Sequence, residues 1–244
     1  MIATDWRLPD APLRASAVTT NLAGLLGVIV LASMARAGLP VGALYAFKAP
    51  AAFAAVMLLS LGFLQQHHPF ARFGPANQIT TLRALLVALI VSLIGEPQLP
   101  IVAASAAVAS VVVTVLDGVD GWMARRHRIA SDFGARFDME IDALLILALS
   151  MLVWRFEKAG AWVLLSGVLR YAFVAAGAGW AWLRQPLPRS RRRQAICAIQ
   201  IAGLTLSLVP AVAPPLSTAL AAVSLAILCS SFLVDTLWLW RHAD

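Results

Sequence analysis

The sequence predicts an all-α, polytopic membrane helix bundle of about eight spans: a two-span N-terminal hairpin followed by a six-span core. Three observations carry this reading. Mean hydropathy is +0.82 and only 13% of the residues are charged, where a soluble domain carries about 25%. Apolar runs recur at the length a helix needs to cross the hydrocarbon core, about 20 residues. The runs are uninterrupted, and in lipid every backbone group must be paired within helices or a closed barrel, so helices are selected.

Taken in order, the spans are 17–35, 41–64, 79–95, 100–123, 138–155, 160–183, 194–211 and 216–239. The first ends at Gly38-Leu39-Pro40 and the second at the polar segment from Gln65 to Asn77. Glu96 to Pro100 separates the third from the fourth, and the fourth runs into an acidic stretch that leads to the fifth. Glu157 to Gly160, Arg184 to Arg193 and Pro210 to Pro215 supply the remaining breaks, each with the Gly, Pro or charge that stops a helix in lipid. The first two spans carry few polar side chains apart from Tyr45 and Lys48, which divides the chain into 1–69, an added hairpin, and 70–244, the core. Residues 1–16, with Pro9, Pro12, Asp5, Asp10, Arg7 and Arg14, lead into a full-length span and read as retained.

An even number of spans puts both termini on one side. With the N-terminus cytoplasmic, 14 of the 19 lysines and arginines fall inside and only Arg36, Arg155 and Lys158 outside, which orients the chain. The acidic stretch then faces the cytosol and the inner leaflet of the cell membrane. Cys197 and Cys229 lie in separate spans with no metal-ligand spacing and read as small buried residues. The net charge of +7 has no soluble groove-reading surface beside it, so nucleic acid is excluded as a partner and anionic lipids and phosphorylated substrates are favoured.

Residues 117–142 concentrate the chemistry. They hold six of the twelve acidic residues. Asp117 and Asp120 stand three apart, Asp138 and Asp142 four apart, and on helices both spacings put the two carboxylates on one face. Two such faces turned together make a cage of hard oxygen ligands, suited to Mg²⁺, Mn²⁺ or Ca²⁺ and not to Zn²⁺. Like charges so close repel unless a cation neutralises them. Glu140 points to the other side of its helix and Asp132 falls in the expected turn, so both are left to solvent or to nearby arginines.

By position the stretch spells DxxDGxxAR(x)8GxxxDxxxD, with Asp117, Asp120, Gly121, Ala124, Arg125, Gly134, Asp138 and Asp142 at the fixed places. This resembles the CDP-alcohol phosphatidyltransferase family, and Asn77, Thr80 and Arg83 resemble the Asn, Thr and Arg that precede that family's first core span. The resemblance covers about residues 70–244. It implies a transferase of phospholipid synthesis that takes a CDP-activated lipid, passes the substituted phosphoryl group to an acceptor alcohol and releases CMP. It further implies Mg²⁺ or Mn²⁺, as a pair of ions, on Asp117, Asp120, Asp138 and Asp142, with Asp142 also the catalytic base. Gly121, Ala124, Arg125, Ser131, Gly134, Asn77, Thr80 and Arg83 then belong to the nucleotide and CDP-lipid site, and a homodimer is admitted.

Outside the signature, Arg170 lies within the sixth span, where a charge needs a partner. With Arg189, Arg191, Arg192 and Arg193 it forms the candidate acceptor set, because the guanidinium fork binds two phosphate oxygens at once. That favours glycerol 3-phosphate, with serine, inositol phosphate or another alcohol left open. Asp235 is expected to pair with a nearby arginine. A different class, a cation transporter with intramembrane carboxylates, would place its acids near the bilayer midplane on broken helices rather than at one end of two spans.

Overall fold

The computed structural model describes residues 10–67, 70, 72–127, 131–185, 187, 188 and 190–243, and within them the side chains of 63, 65–67 and 120–127 are outside the description. Among the described residues the chain forms eight α-helices and no strand: α1 (Ala11–Gly38), α2 (Tyr45–His67), α3 (Pro75–Ser92), α4 (Pro100–His127), α5 (Asp132–Arg155), α6 (Leu165–Gly179), α7 (Arg191–Leu208) and α8 (Leu216–Arg241). They group into two compact units, 1–97 with 109–142, and 98–108 with 143–244.

Among the described residues six stretches are long and apolar enough to cross a membrane, those on α1, α2, α3, α4, α8 and the run Ala161–Gly179 that contains α6. The chain is a multi-pass membrane protein by that measure. The helices α5 and α7 also overlap expected spans but fall outside that measure because of where their charges lie. The helix α5 carries Asp132, Arg136, Asp138, Glu140 and Asp142 along its first half, and α7 opens on Arg191, Arg192 and Arg193. The sixth predicted span is also shorter as an α-helix than expected. A 3-10 turn at Ala161–Leu164 precedes α6 and another at Ala181–Arg184 follows it.

In the first unit α1, α2 and α3 pack on one another. Pro12 in its first turn starts α1, and Leu39, in extended conformation ahead of Pro40, ends it. Only a narrow stripe of α1 is buried, Leu13, Ala17, Val28 and Ala32, while Leu22, Leu26, Ile29, Val30 and Met34 face outward. That distribution is what a helix against lipid shows. The helix α3 is the centre of the unit and buries ten residues, including the polar Asn77, Thr80, Thr81 and Arg83. It begins where Gly74 takes a φ of 80°, a left-handed conformation that favours glycine, followed by Pro75 in the first turn. Lys48 of α2 pairs with Glu96 beyond the end of α3, and the other Glu96 oxygen accepts the Gly42 N–H at 2.6 Å. These contacts fasten the hairpin to the α3 end.

In the second unit α7 and α8 lie against each other along their length. Glycine permits the approach: a Cβ on Gly203 would stand 2.7 Å from Ser224 Cβ. One end of this pair is tied by Arg192 and Asp235, with Arg193 Nη1 3.6 Å from the same carboxylate. At the other end Lys158 Nζ donates to the Val212 carbonyl at 2.7 Å and reaches those of Val209 and Pro210 at 3.4 and 3.5 Å. The Lys158 carbonyl in turn accepts the Ser217 and Thr218 hydroxyls at 2.7 and 3.0 Å. Arg184 closes α6 by donating to the carbonyls of Gly177 and, at 2.8 Å, Ala178, groups a helix end leaves without partners.

Candidate active site

The site is built within the first unit from one end of α3, α4 and α5. Ser131 starts α5: its Oγ accepts the Gly134 N–H at 3.0 Å, the cap that satisfies one of the orphan donors of a first turn. Asp132 therefore opens α5 rather than lying in a turn, a correction the helix charge favours, since an acid is stabilised at a helix N-terminus. Asp132 and Glu140 are exposed, as expected for acids outside the cage.

Phe73, Phe133 and Phe137 form a buried aromatic row beneath this end. Phe73 and Phe133 lie 6.1 Å apart and Phe133 and Phe137, one turn on, 5.6 Å. The row seats the first two turns of α5 against the entry of α3. Gly134 lets the two helices come close, for a Cβ there would lie 2.9 Å from Asn77 Oδ1. Asn77 cannot easily retreat, because its Nδ2 donates to the Phe73 carbonyl at 2.6 Å.

On this seating, Asp138 and Asp142 project from successive turns of α5 toward Asp117 of α4. One carboxylate oxygen from each of the three lies within 4.8 Å of the others. The group is open on one side: side-chain exposure is 41% for Asp117, 38% for Asp138 and 17% for Asp142, against 1% for Arg83 of α3. Arg83 Nη1 lies 2.8 Å from Asp117 and pairs with Asp138, while Nη2 donates to Asp142 at 2.5 Å. As a donor set, three carboxylate oxygens this close fit a hard divalent cation, whose oxygen ligands stand at about 2.0–2.6 Å from it.

Of the residues the sequence singles out, Asp117, Asp138, Asp142, Arg83, Asn77 and Gly134 meet here. Thr80 is buried on α3 with its hydroxyl donating to the Ala76 carbonyl at 3.1 Å. Ser131 is occupied as the helix cap. Asp120, Gly121, Ala124 and Arg125 fall on the last turns of α4, where the side chains lie outside the described residues, as does Arg189. Arg170, Arg191, Arg192 and Arg193 belong to the second unit, where Asp235 pairs with Arg192 as expected.

One feature escapes a reading of the sequence, and another is legible only in part. The aromatic row runs from Phe73 to Phe137 and has no local signature. Arg83 carries a legible signal, a charge inside an apolar helix, which requires an acidic partner; which acids it meets depends on helix packing.

The family model described as CDP-alcohol phosphatidyltransferase matches residues 73–232. A curated relative, the CDP-diacylglycerol--glycerol-3-phosphate 3-phosphatidyltransferase of Bacillus subtilis (strain 168), is 25% identical over 104 residues, 38% of this chain and 54% of the relative. The chain thus matches about half the length of that relative. No solved structure matches the chain. The family match takes in α3 and its Arg83, the three clustered aspartates and most of α8, well over half of the sequence, and the chain belongs to the CDP-alcohol phosphatidyltransferase family.

Proposed function

We propose that this protein transfers the substituted phosphoryl group of a CDP-activated lipid such as CDP-diacylglycerol to an acceptor alcohol and releases CMP. The observation that carries the proposal is the convergence of Asp117, Asp138 and Asp142 within 4.8 Å, in a chain whose family acts by this chemistry. In the reaction the acceptor oxygen forms a bond to the phosphorus that bears the lipid, the bond from that phosphorus to the CMP phosphate oxygen breaks, and the acceptor's proton leaves. Asp142, the most enclosed of the three acids, takes that proton.

Asp117, Asp138 and Asp142, with Asp120 on the same helix as Asp117, are the residues that hold Mg²⁺ or Mn²⁺ as a pair of ions. When bound, such ions draw charge from the diphosphate and the leaving CMP. Gly121, Ala124, Arg125, Ser131, Gly134, Asn77 and Thr80 make up the nucleotide side, and Arg83, buried and paired with Asp117, Asp138 and Asp142, backs it from behind the acids. Glycine and alanine there admit the cytidine close to the backbone, and Arg125 meets phosphate.

The acceptor is glycerol 3-phosphate in this reading. It rests on the name of the Bacillus subtilis relative and on Arg170, Arg189, Arg191, Arg192 and Arg193, whose guanidinium groups suit a phosphate better than a neutral alcohol. The core is 70–244, the hairpin 1–69 is an addition, the working unit is a homodimer, and the site opens to the cytosol from the cell membrane. The test is CMP release by the purified protein from CDP-diacylglycerol, with glycerol 3-phosphate, serine, inositol phosphate or no acceptor, in Mg²⁺, Mn²⁺ or chelator. Release that needs the divalent ion and glycerol 3-phosphate supports the activity, the metal and the acceptor. Release with serine instead retires the acceptor assignment, and no release with any acceptor retires the activity.

A further inference from the structure

We infer that Arg83 is the internal counter-ion of the carboxylate site: it neutralises Asp117, Asp138 and Asp142 when no metal is present, and an incoming divalent ion must displace it, so that Arg83 sets the metal affinity. The inference rests on the reading of the three acids as a metal site.

A guanidinium 1% exposed in the middle of α3 is costly unless it is paired, and the pairing here is threefold, to carboxylates from two other helices. Its three partners are all more open than it is. The cluster therefore has a closed side occupied by a fixed positive charge and an open side through which an ion can enter. Three carboxylates share one guanidinium, so acid is in excess and the cluster can still draw a cation.

Arg83 lies within direct bonding range of one oxygen of every acid in the cluster. A metal bound there must draw on those same carboxylates, and each gives up part of its bond to Arg83 when it does. The guanidinium also repels the arriving ion. In exchange, Arg83 holds three like charges in one place while the site is empty of metal, so that the ligands are already gathered when an ion arrives.

A strut and a competitor differ in the sign of a mutational effect. Were Arg83 only a strut between helices, removing it would loosen the ligands and weaken metal binding. As a competitor, its removal tightens binding and transfers the task of holding the acids together to the metal. The experiment uses the full chain in lipid nanodiscs, with Mn²⁺ as the probe, read by electron paramagnetic resonance and by thermal unfolding with and without Mn²⁺. Arg83→Gln should bind Mn²⁺ about tenfold tighter than wild type or better, unfold at a lower temperature than wild type without the ion, and recover most of that difference with it. Arg83→Lys keeps the charge but not the planar fork, and should tighten binding by only a few fold. It decides the matter if the Gln variant does not accumulate. Equal or weaker Mn²⁺ binding in either folded variant overturns the inference while leaving the metal site intact. A wild-type protein that binds no Mn²⁺ removes the metal-site reading itself, and this inference with it.

Discussion

Asn77 Oδ1 stands where a side chain on Gly134 would begin, 2.9 Å from the position of its Cβ, and the Asn77 amide is anchored to the Phe73 carbonyl on its other side. Gly134→Ala must therefore push α5 away from α3, and Asp138 and Asp142 travel with α5. We expect a loss of about 1–3 kcal/mol in stability, the usual cost of overpacking a close contact, and at least a tenfold fall in CMP release. Adding Asn77→Ala should restore the melting temperature without restoring activity. A single variant that melts with wild type would show the contact to be slack.

Asp117→Asn, Asp138→Asn and Asp142→Asn are each expected to reduce turnover by about 10²-fold or more while the protein still inserts and folds. The three should differ in kind. Asp142→Asn, which removes the base, should keep CMP affinity within a few fold in Mg²⁺ as kcat collapses; calorimetry on the variant measures this. Loss of CMP binding along with rate would make Asp142 a ligand and nothing more.

The hairpin fastening is acid-sensitive in a defined direction. Burial pushes the Glu96 carboxyl up, but the hydrogen bonds from Lys48 and the Gly42 N–H, together with the Lys48 charge, outweigh it, and its pKa ends below the ordinary 4.5. A carboxyl whose folded pKa is depressed contributes stability above its unfolded pKa and loses it as pH falls through the folded one. Wild-type melting temperature should thus fall between neutral pH and the region below pH 4.5 by more than that of Glu96→Gln, which should begin lower and change less. Parallel curves for the two proteins would mean that Glu96 is not the group responsible.

Topology is open to labelling. With Cys197 and Cys229 replaced by serine, a cysteine at Arg191 should react with an impermeant thiol reagent only from the cytoplasmic side, and one at Glu157 only from the opposite side. Both positions are exposed. Reaction of both from one side would contradict the proposed path of the chain between them.

The sequence made the helices legible because hydropathy and Gly or Pro breaks act locally, and each of the eight predicted segments overlaps a helix. The acids were legible for the same reason, since a spacing of four on one helix fixes a face whatever surrounds it. What stayed hidden depends on how helices pack. Lys48 meets Glu96 across 48 positions and Arg83 meets Asp138 across 55, and no periodicity encodes either distance. Ser131 illustrates a subtler case. Resemblance places it in the nucleotide site, and only the fold shows that its Oγ also caps α5.

Lys158 touches carbonyls at 209, 210 and 212 with one ammonium and receives two hydroxyls on its own carbonyl. A slip of α7 along α8 by a single residue would move those carbonyls by about 1.5 Å, and one amine cannot follow three of them. The fastening therefore works as a calibration mark for the last hairpin. Across the length of α7, about 27 Å for its eighteen residues, it decides which rung of the far end presents Arg192 to Asp235. A residue remote from any reacting atom is thereby given charge of alignment at the opposite end of the helix pair.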